Sequence, residues 1–197
     1  GAARHGCRLL YSGSAPNPLP LGINAPVRAS SRILVVSVAS NALSAAKEYH
    51  YYEILNELSF DSHRKAMSVT VHDMVTGRVM LVTKGADTSL CGMTQDEGAR
   101  RSVMSAATSF AELGLRTLVY GVRNMTMQEA HQHSLTLRHS MSGIGRARER
   151  QMSKAYSAIE TGLSLIGVTA VEDKLAPNVP QTIEWILRTG INMWVLT

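Results

Sequence analysis

The sequence predicts an α/β (α+β) protein, with an antiparallel sheet flanked by helices and a short strand–helix–strand unit at its C-terminal end. Three patterns carry that expectation. Met67, Val69 and Val71 alternate with Ser68, Thr70 and His72, the period-two signature of a half-buried strand. Two stretches, Thr94-Gln95-Asp96-Glu97 and Thr126-Met127-Gln128-Glu129, read as capping boxes, in which a hydroxyl and a carboxylate satisfy orphan amides at a helix start. The segments 165–171 and 191–196 are apolar and enclose a helical stretch, which suits a βαβ unit on a buried parallel sheet.

Taken in chain order, residues 12–31 are rich in Ser, Gly, Pro and Asn and read as loop. A strand is expected over 33–38, whereas 40–47 has no clear preference. Residues 52–60 pair beside a hairpin whose strands are 67–71 and 78–83, joined by the turn residues of 73–77. Lys84 stands at its exit. A helix from Thr94 places Val103, Ala106, Phe110 and Leu113 on one face, and Gly114 stops it. A strand over 115–122 carries Arg116, a helix follows Thr126, and another over 151–163 lines up Tyr156, Ile159 and Leu163. Asn178 and Pro180 open the last helix and Gly190 ends it. A change of unit is expected near 165, giving domains 1–165 (with 12–48 as a loop-rich insertion) and 166–197.

Composition bounds the function. With 197 residues the chain can bury roughly 70% of its unfolded surface without disulfide or metal. It is 45% hydrophobic and 18% charged, and its apolar runs fall well short of the ~20 residues a membrane span needs. Cys7 and Cys91 make no disulfide framework or zinc spacing, and fit a reducing compartment. The net charge of +5 draws on Arg100-Arg101 and on Arg146, Arg148 and Arg150. No aromatic residues interleave them, so they read as solvated helix faces rather than a nucleic-acid surface. Mild positive charge also suits an anionic small ligand. The chain opens on Gly1 without a Met and stops at Thr197 inside an apolar run, which reads as an excised piece of a longer protein.

Chemical signatures are sparse. Neither Gly-x-x-x-x-Gly-Lys nor Gly-x-Gly-x-x-Gly occurs, and His131-x-His133 lacks a third metal ligand nearby. The informative tetrapeptide is Lys84-Gly85-Ala86-Asp87, where a compact cation stands beside residues small enough to let a ligand approach the backbone. Phe60 reads either as core or as an aromatic face for a purine. Arg116 reads as a snorkelling or paired side chain. Glu172-Asp173-Lys174 reads as a hydrated turn, or as acids at the strand end where α/β sheets place their chemistry.

Five motifs in series identify a resemblance: residues 52–69 with Phe60-Asp61-Ser62-His63-Arg64-Lys65-Ala66-Met67-Ser68-Val69, then Lys84-Gly85-Ala86-Asp87, Gly114-Leu115-Arg116-Thr117-Leu118, the run from Gly167 through Glu172-Asp173-Lys174-Leu175, and Trp194-Val195-Leu196-Thr197. The chain resembles the nucleotide-binding domain of P-type ATPases over about residues 50–197, and the phospholipid-transporting (flippase) branch in particular. Asp87 and the Glu172–Leu175 run favour that branch over cation pumps, the alternative reading. A degenerate domain of the same fold that serves as an interaction surface is the other alternative.

The resemblance implies that Phe60 stacks on adenine, with Ser62, Lys84 and Gly85 in the same pocket. It implies that Arg116 approaches the phosphates, that Asp173 lies near the hinge, and that Thr197 opens a phosphate-contacting loop. It further implies ATP and Mg²⁺ as cofactors, an aspartyl-phosphate formed outside this chain, and phospholipid handled by an absent membrane part. An accessory β-subunit belongs to the whole protein, and the chain itself is expected to be a monomeric cytosolic domain of an integral membrane protein. Residues 166–197 would be part of the phosphorylation domain. The family's Asp-Lys-Thr-Gly-Thr and Ser-Pro-Asp-Glu segments are missing, Ala66 replaces a usual Arg and Ala176 a usual Gln, and 12–48 is longer than the pattern. Weak ATP binding without hydrolysis is therefore expected of this chain.

Overall fold

A computed structural model of the chain describes residues 7–14, 32–39, 47–172 and 176–194. Seven strands form one sheet in sequential order: β1 (Cys7–Ser14), β2 (Arg32–Ala39), β3 (Lys47–Asp61), β4 (Ala66–Asp73), β5 (Val79–Gly85), β6 (Arg116–Met125) and β7 (Ser164–Val171). Each neighbouring pair is antiparallel. Helices α1 (Asp87–Met93) and α2 (Glu97–Glu112) bridge β5 to β6. Helices α3 (Met127–Met141) and α4 (Gly145–Ile159) bridge β6 to β7, and α5 (Val179–Arg188) follows.

The expected hairpin is present. Asp73 closes its turn, accepting at its carboxylate from the amides of Val75 at 2.9 Å and Thr76 at 3.2 Å. Alternation assigns the faces. Ala66, Ser68 and Thr70 on β4, and Leu81, Thr83 and Gly85 on β5, are buried, while Met67, Val69, Met80 and Val82 between them are half-buried. Both helical cores use the first set. Leu58 and Leu81 pack with Leu137, Ala155, Ile159 and Leu163 under α3 and α4. Ala66 and Val119 pack with Leu90, Cys91 and Val103 under α1 and α2. Helices α1 to α4 therefore cover one face of the sheet. Each large aliphatic side chain so buried contributes about 1.5–3 kcal/mol.

Several expectations need correction. β1 runs to Ser14, so the predicted loop does not begin at residue 12; the segments 15–31 and 40–46 lie outside the described residues. Helix α1 was not expected, because seven residues with Gly92 inside give little periodicity. The cap of α2 is Asp96, whose carboxylate accepts from Ala99 N at 2.9 Å; Thr94 instead bonds the amide of Asp96 at 3.2 Å. On α2, Val103 and Ala107 face inwards, while Ala106 is exposed and Leu113 is 74% exposed. The second capping box holds as predicted: Thr126 Oγ1 accepts from Glu129 N at 3.1 Å, and Thr126 N donates to Glu129 Oε2 at 2.6 Å.

The largest correction concerns the C-terminal unit. β7 pairs antiparallel with β6, from Arg116↔Val171 to Val122↔Ser164, so it closes this sheet rather than opening a parallel one. Residues 191–194 form no strand, which leaves the expected βαβ pairing unformed among the described residues. Apolar content alone does not distinguish the two, since an edge strand packed on a helix is nearly as apolar as a buried one. α5 is amphipathic but buries no residue, with Trp185 67% exposed.

Candidate functional site

The C-terminal ends of β3 and β5 and the N-terminal ends of β4 and β6 meet at one end of the sheet. There Met67 pairs with Lys84, and Lys84 with Tyr120. Phe60 joins this row through an irregularity in β3. Leu58 pairs with Ser68 but Asp61 pairs with Ala66, so β3 carries one extra residue between them. The bulge shifts the alternation: Asp61 shares the helix-covered face with Ala66, and Phe60 falls on the opposite face. The result is a row of Phe60, Met67, Lys84 and Tyr120 across four strands, on the face away from the four helices. Strand spacing separates Phe60 from Lys84 by about 10 Å laterally.

Phe60 is 65% exposed, so it is not core. Its turn is held locally. Lys65 N donates to Asp61 O at 2.6 Å, His63 N donates to the Asp61 carboxylate at 2.8 Å, and Lys65 has a positive φ of 50°. Ser62 is exposed at this turn. Lys84 is exposed as well, and no ion pair engages it among the described residues. Arg116 begins β6, four residues before Tyr120 and on the same face by alternation. It therefore stands about 13 Å further out towards the sheet's end. Asp173 and Thr197 lie outside the described residues.

Gly85 has a packing role that the sequence does not show. A Cβ there would meet the Lys65 carbonyl oxygen at 2.5 Å, Leu90 Cδ1 at 2.7 Å and Ala66 Cα at 2.9 Å. The glycine lets the β3–β4 turn lie against β5, where Ala86 N donates to Lys65 O at 2.9 Å. Its missing side chain points to protein. Ala86 is then the N-cap of α1, and Asp87 is its first residue, favourably placed at the helix N-terminus. The tetrapeptide is thus a strand-to-helix junction that carries one exposed cation.

An exposed aromatic ring, and an exposed lysine paired in register with a tyrosine, on the face turned away from α1 to α4 fit a planar, anionic ligand such as a nucleotide. Among the described residues no group of three or more His, Cys, Asp or Glu could hold a metal ion. The two histidines of the 131–133 pair differ: His131 is exposed, while burial and then Arg123 push the half-buried His133 below its ordinary value. The basic run at 146–150 is exposed on α4, as a solvated face should be. Sequence reasoning missed Tyr120 and Met67, whose only signal is their register with Lys84. It also missed Arg64, which lies in the turn itself.

No helix among the described residues is long and apolar enough to cross a membrane. The chain is 34% identical to phospholipid-transporting ATPase 2 of Arabidopsis thaliana over 178 residues, which are 88% of this chain and 16% of that protein. It is 38% identical to phospholipid-transporting ATPase IH of Homo sapiens over 146 residues, 74% of this chain and 13% of the relative. The chain thus spans a small part of the relatives it matches. The family described as P-type ATPase, cytoplasmic domain N, matches residues 33–178, and with most of its length inside that match the chain belongs to this family.

Proposed function

We propose that this chain is the ATP-binding domain of a phospholipid-transporting P-type ATPase. The observation that carries the reading is the row Phe60–Met67–Lys84–Tyr120, which sets a 65% exposed ring and an exposed cation on one face of the sheet, away from α1 to α4. In this reading Phe60 stacks on adenine, Ser62 and Lys84 line the pocket, Gly85 keeps the turn against β5, and Arg116 faces the phosphates. Asp173 and Thr197 complete the phosphate end when the neighbouring domain closes. The names of the relatives support phospholipid over cation transport, as does the sequence of the Lys84–Asp87 and Glu172–Leu175 motifs.

Phosphoryl transfer depends on positioning and electrostatics, so a domain that delivers ATP contributes to it without reacting. Mg²⁺ belongs with the nucleotide phosphates in the whole enzyme, where an aspartate outside this chain would take the phosphoryl group. The chain would then be a cytosolic part of an integral membrane protein, monomeric by itself, with phospholipid and any accessory subunit engaged elsewhere. The division expected near 165 would then move to the end of β7, with the nucleotide-binding unit reaching Val171 and the residues after it leading into the phosphorylation domain. β7 belongs to the first sheet, which supports this later boundary, and the unburied α5 supports a packing partner outside this unit.

The experiment is an ATP titration followed by the amide shifts of Phe60, Lys84 and Arg116. Saturable shifts clustered at these three are expected. Flat shifts up to millimolar nucleotide would leave the interaction-surface alternative in their place.

A further inference from the structure

Beneath the exposed row, on the helix-covered face, lies a buried polar cluster that the nucleotide reading does not use. Glu160 caps the C-terminal end of α4 and is 1% exposed. Ser68 Oγ donates to its Oε1. Ser68 Oγ also lies 2.9 Å from Thr83 Oγ1. With the single Ser68 proton given to the carboxylate, Thr83 must be the donor of that second bond. Arg64 Nη1 stands 3.3 Å from Glu160 Oε1, and the two side chains are 10% and 0% exposed.

Arg64 reaches in turn to the bulge. Its Nη2 donates to the carbonyls of Ser59 at 2.7 Å, Ala66 at 2.7 Å and Leu58 at 3.4 Å. These carbonyls bracket the extra residue of β3 between Leu58 and Asp61 that turns Phe60 to the open face. The guanidinium also lies 4.4 Å over the Tyr156 ring, which fixes its plane. Two branches therefore leave one carboxylate. One ends on the bulge before Phe60, and the other on Thr83, the residue before Lys84.

Stability does not explain this cluster. A buried ion pair is weak evidence of stabilisation, because an apolar replacement of similar shape is often as stable. What it does provide is geometry. We infer that Glu160 is a positioning residue for the nucleotide site, holding through Arg64 the bulge that presents Phe60 and through Ser68 and Thr83 the strand end that presents Lys84. This rests on the reading that Phe60 and Lys84 receive ATP.

The test compares the unaltered chain with Glu160→Gln, and with Glu112→Gln as an exposed control. Two readouts are needed: the ATP dissociation constant, and amide hydrogen exchange over residues 58–66 without nucleotide. Glu160→Gln keeps the shape and loses the charge that orients Arg64. It should weaken ATP binding about tenfold, the loss of one charge-assisted hydrogen bond's worth of ordering. Exchange over 58–66 should quicken while α2 and α3 stay protected, and the control should change neither.

An unchanged dissociation constant with unchanged local exchange overturns the inference, and so does exchange that quickens uniformly across the fold. If the unaltered chain binds no ATP, it is the nucleotide reading that fails; the exchange pattern then still decides whether Glu160 sets the bulge. If Glu160→Gln does not fold, Arg64→Lys takes its place. It keeps the charge and loses the planar fork, and the same two results are expected and the same two overturn the inference.

Discussion

Gly85→Ala separates two roles for the Lys84–Asp87 junction. In the sequence the glycine reads as room for a ligand; in the fold it is room for the β3–β4 turn. The added methyl would stand 2.5 Å from Lys65 O and 2.9 Å from Ala66 Cα, both backbone atoms, so no side-chain rotation relieves them. Only the third contact, Leu90 Cδ1 at 2.7 Å, belongs to a side chain that can move. Overpacking of this kind costs about 1–3 kcal/mol, and two backbone contacts argue for the upper end. Forcing the strands apart also stretches the 2.9 Å bond from Ala86 N to Lys65 O. At about 2–4 °C per kcal/mol for a chain of this size, a 3 kcal/mol loss lowers Tm by about 6–12 °C. Thermal unfolding followed by far-UV circular dichroism measures this directly. A Tm within about 2 °C of the unaltered chain would refute the close-packing argument. Were ATP binding lost at the same time, Gly85 would revert to the ligand-side role.

Phe60→Ala should behave in the opposite way. The ring is 65% exposed, so Tm should hardly move, while ATP binding falls by the stacking energy of about 1–3 kcal/mol; isothermal titration beside a melt checks both, and a large Tm loss would mean the ring packs. Asp96→Ala should destabilise by about 1 kcal/mol through loss of the α2 cap, with Thr94→Ala costing less. Urea unfolding of the two variants decides, and the reverse order would restore the cap to Thr94. Burial pushes the Glu160 carboxyl above its ordinary range, against the opposing pull of the Ser68 hydrogen bond and Arg64. A raised carboxyl binds its proton more readily in the folded state than in the unfolded one. It therefore favours folding below the ordinary carboxylate range, and that contribution is lost as pH rises through the raised value. The stability of the unaltered chain relative to Glu160→Gln should decline over that interval; parallel denaturation curves at every pH would remove Glu160 as the source.

Whatever local chemistry decides is legible in the chain without coordinates. Alternation over 67–71 assigns β4, the Thr126–Glu129 box sets the start of α3, and Gly114, with φ of 73°, ends the turn after α2. The order of motifs also specified the family, because five short segments in series need no coordinates to be recognised. Which residues meet is settled by the folded chain. β7 reads as apolar in either orientation, and only its pairing with β6 makes it the last antiparallel strand. Phe60 reads equally as core or as a binding face until the β3 bulge turns it outwards. Arg64 and Glu160 are 96 positions apart and have no shared periodicity, yet a buried charge must find its partner wherever the fold provides one. Local propensity acts over one turn or one strand, whereas register and burial depend on contacts between segments far apart in the chain.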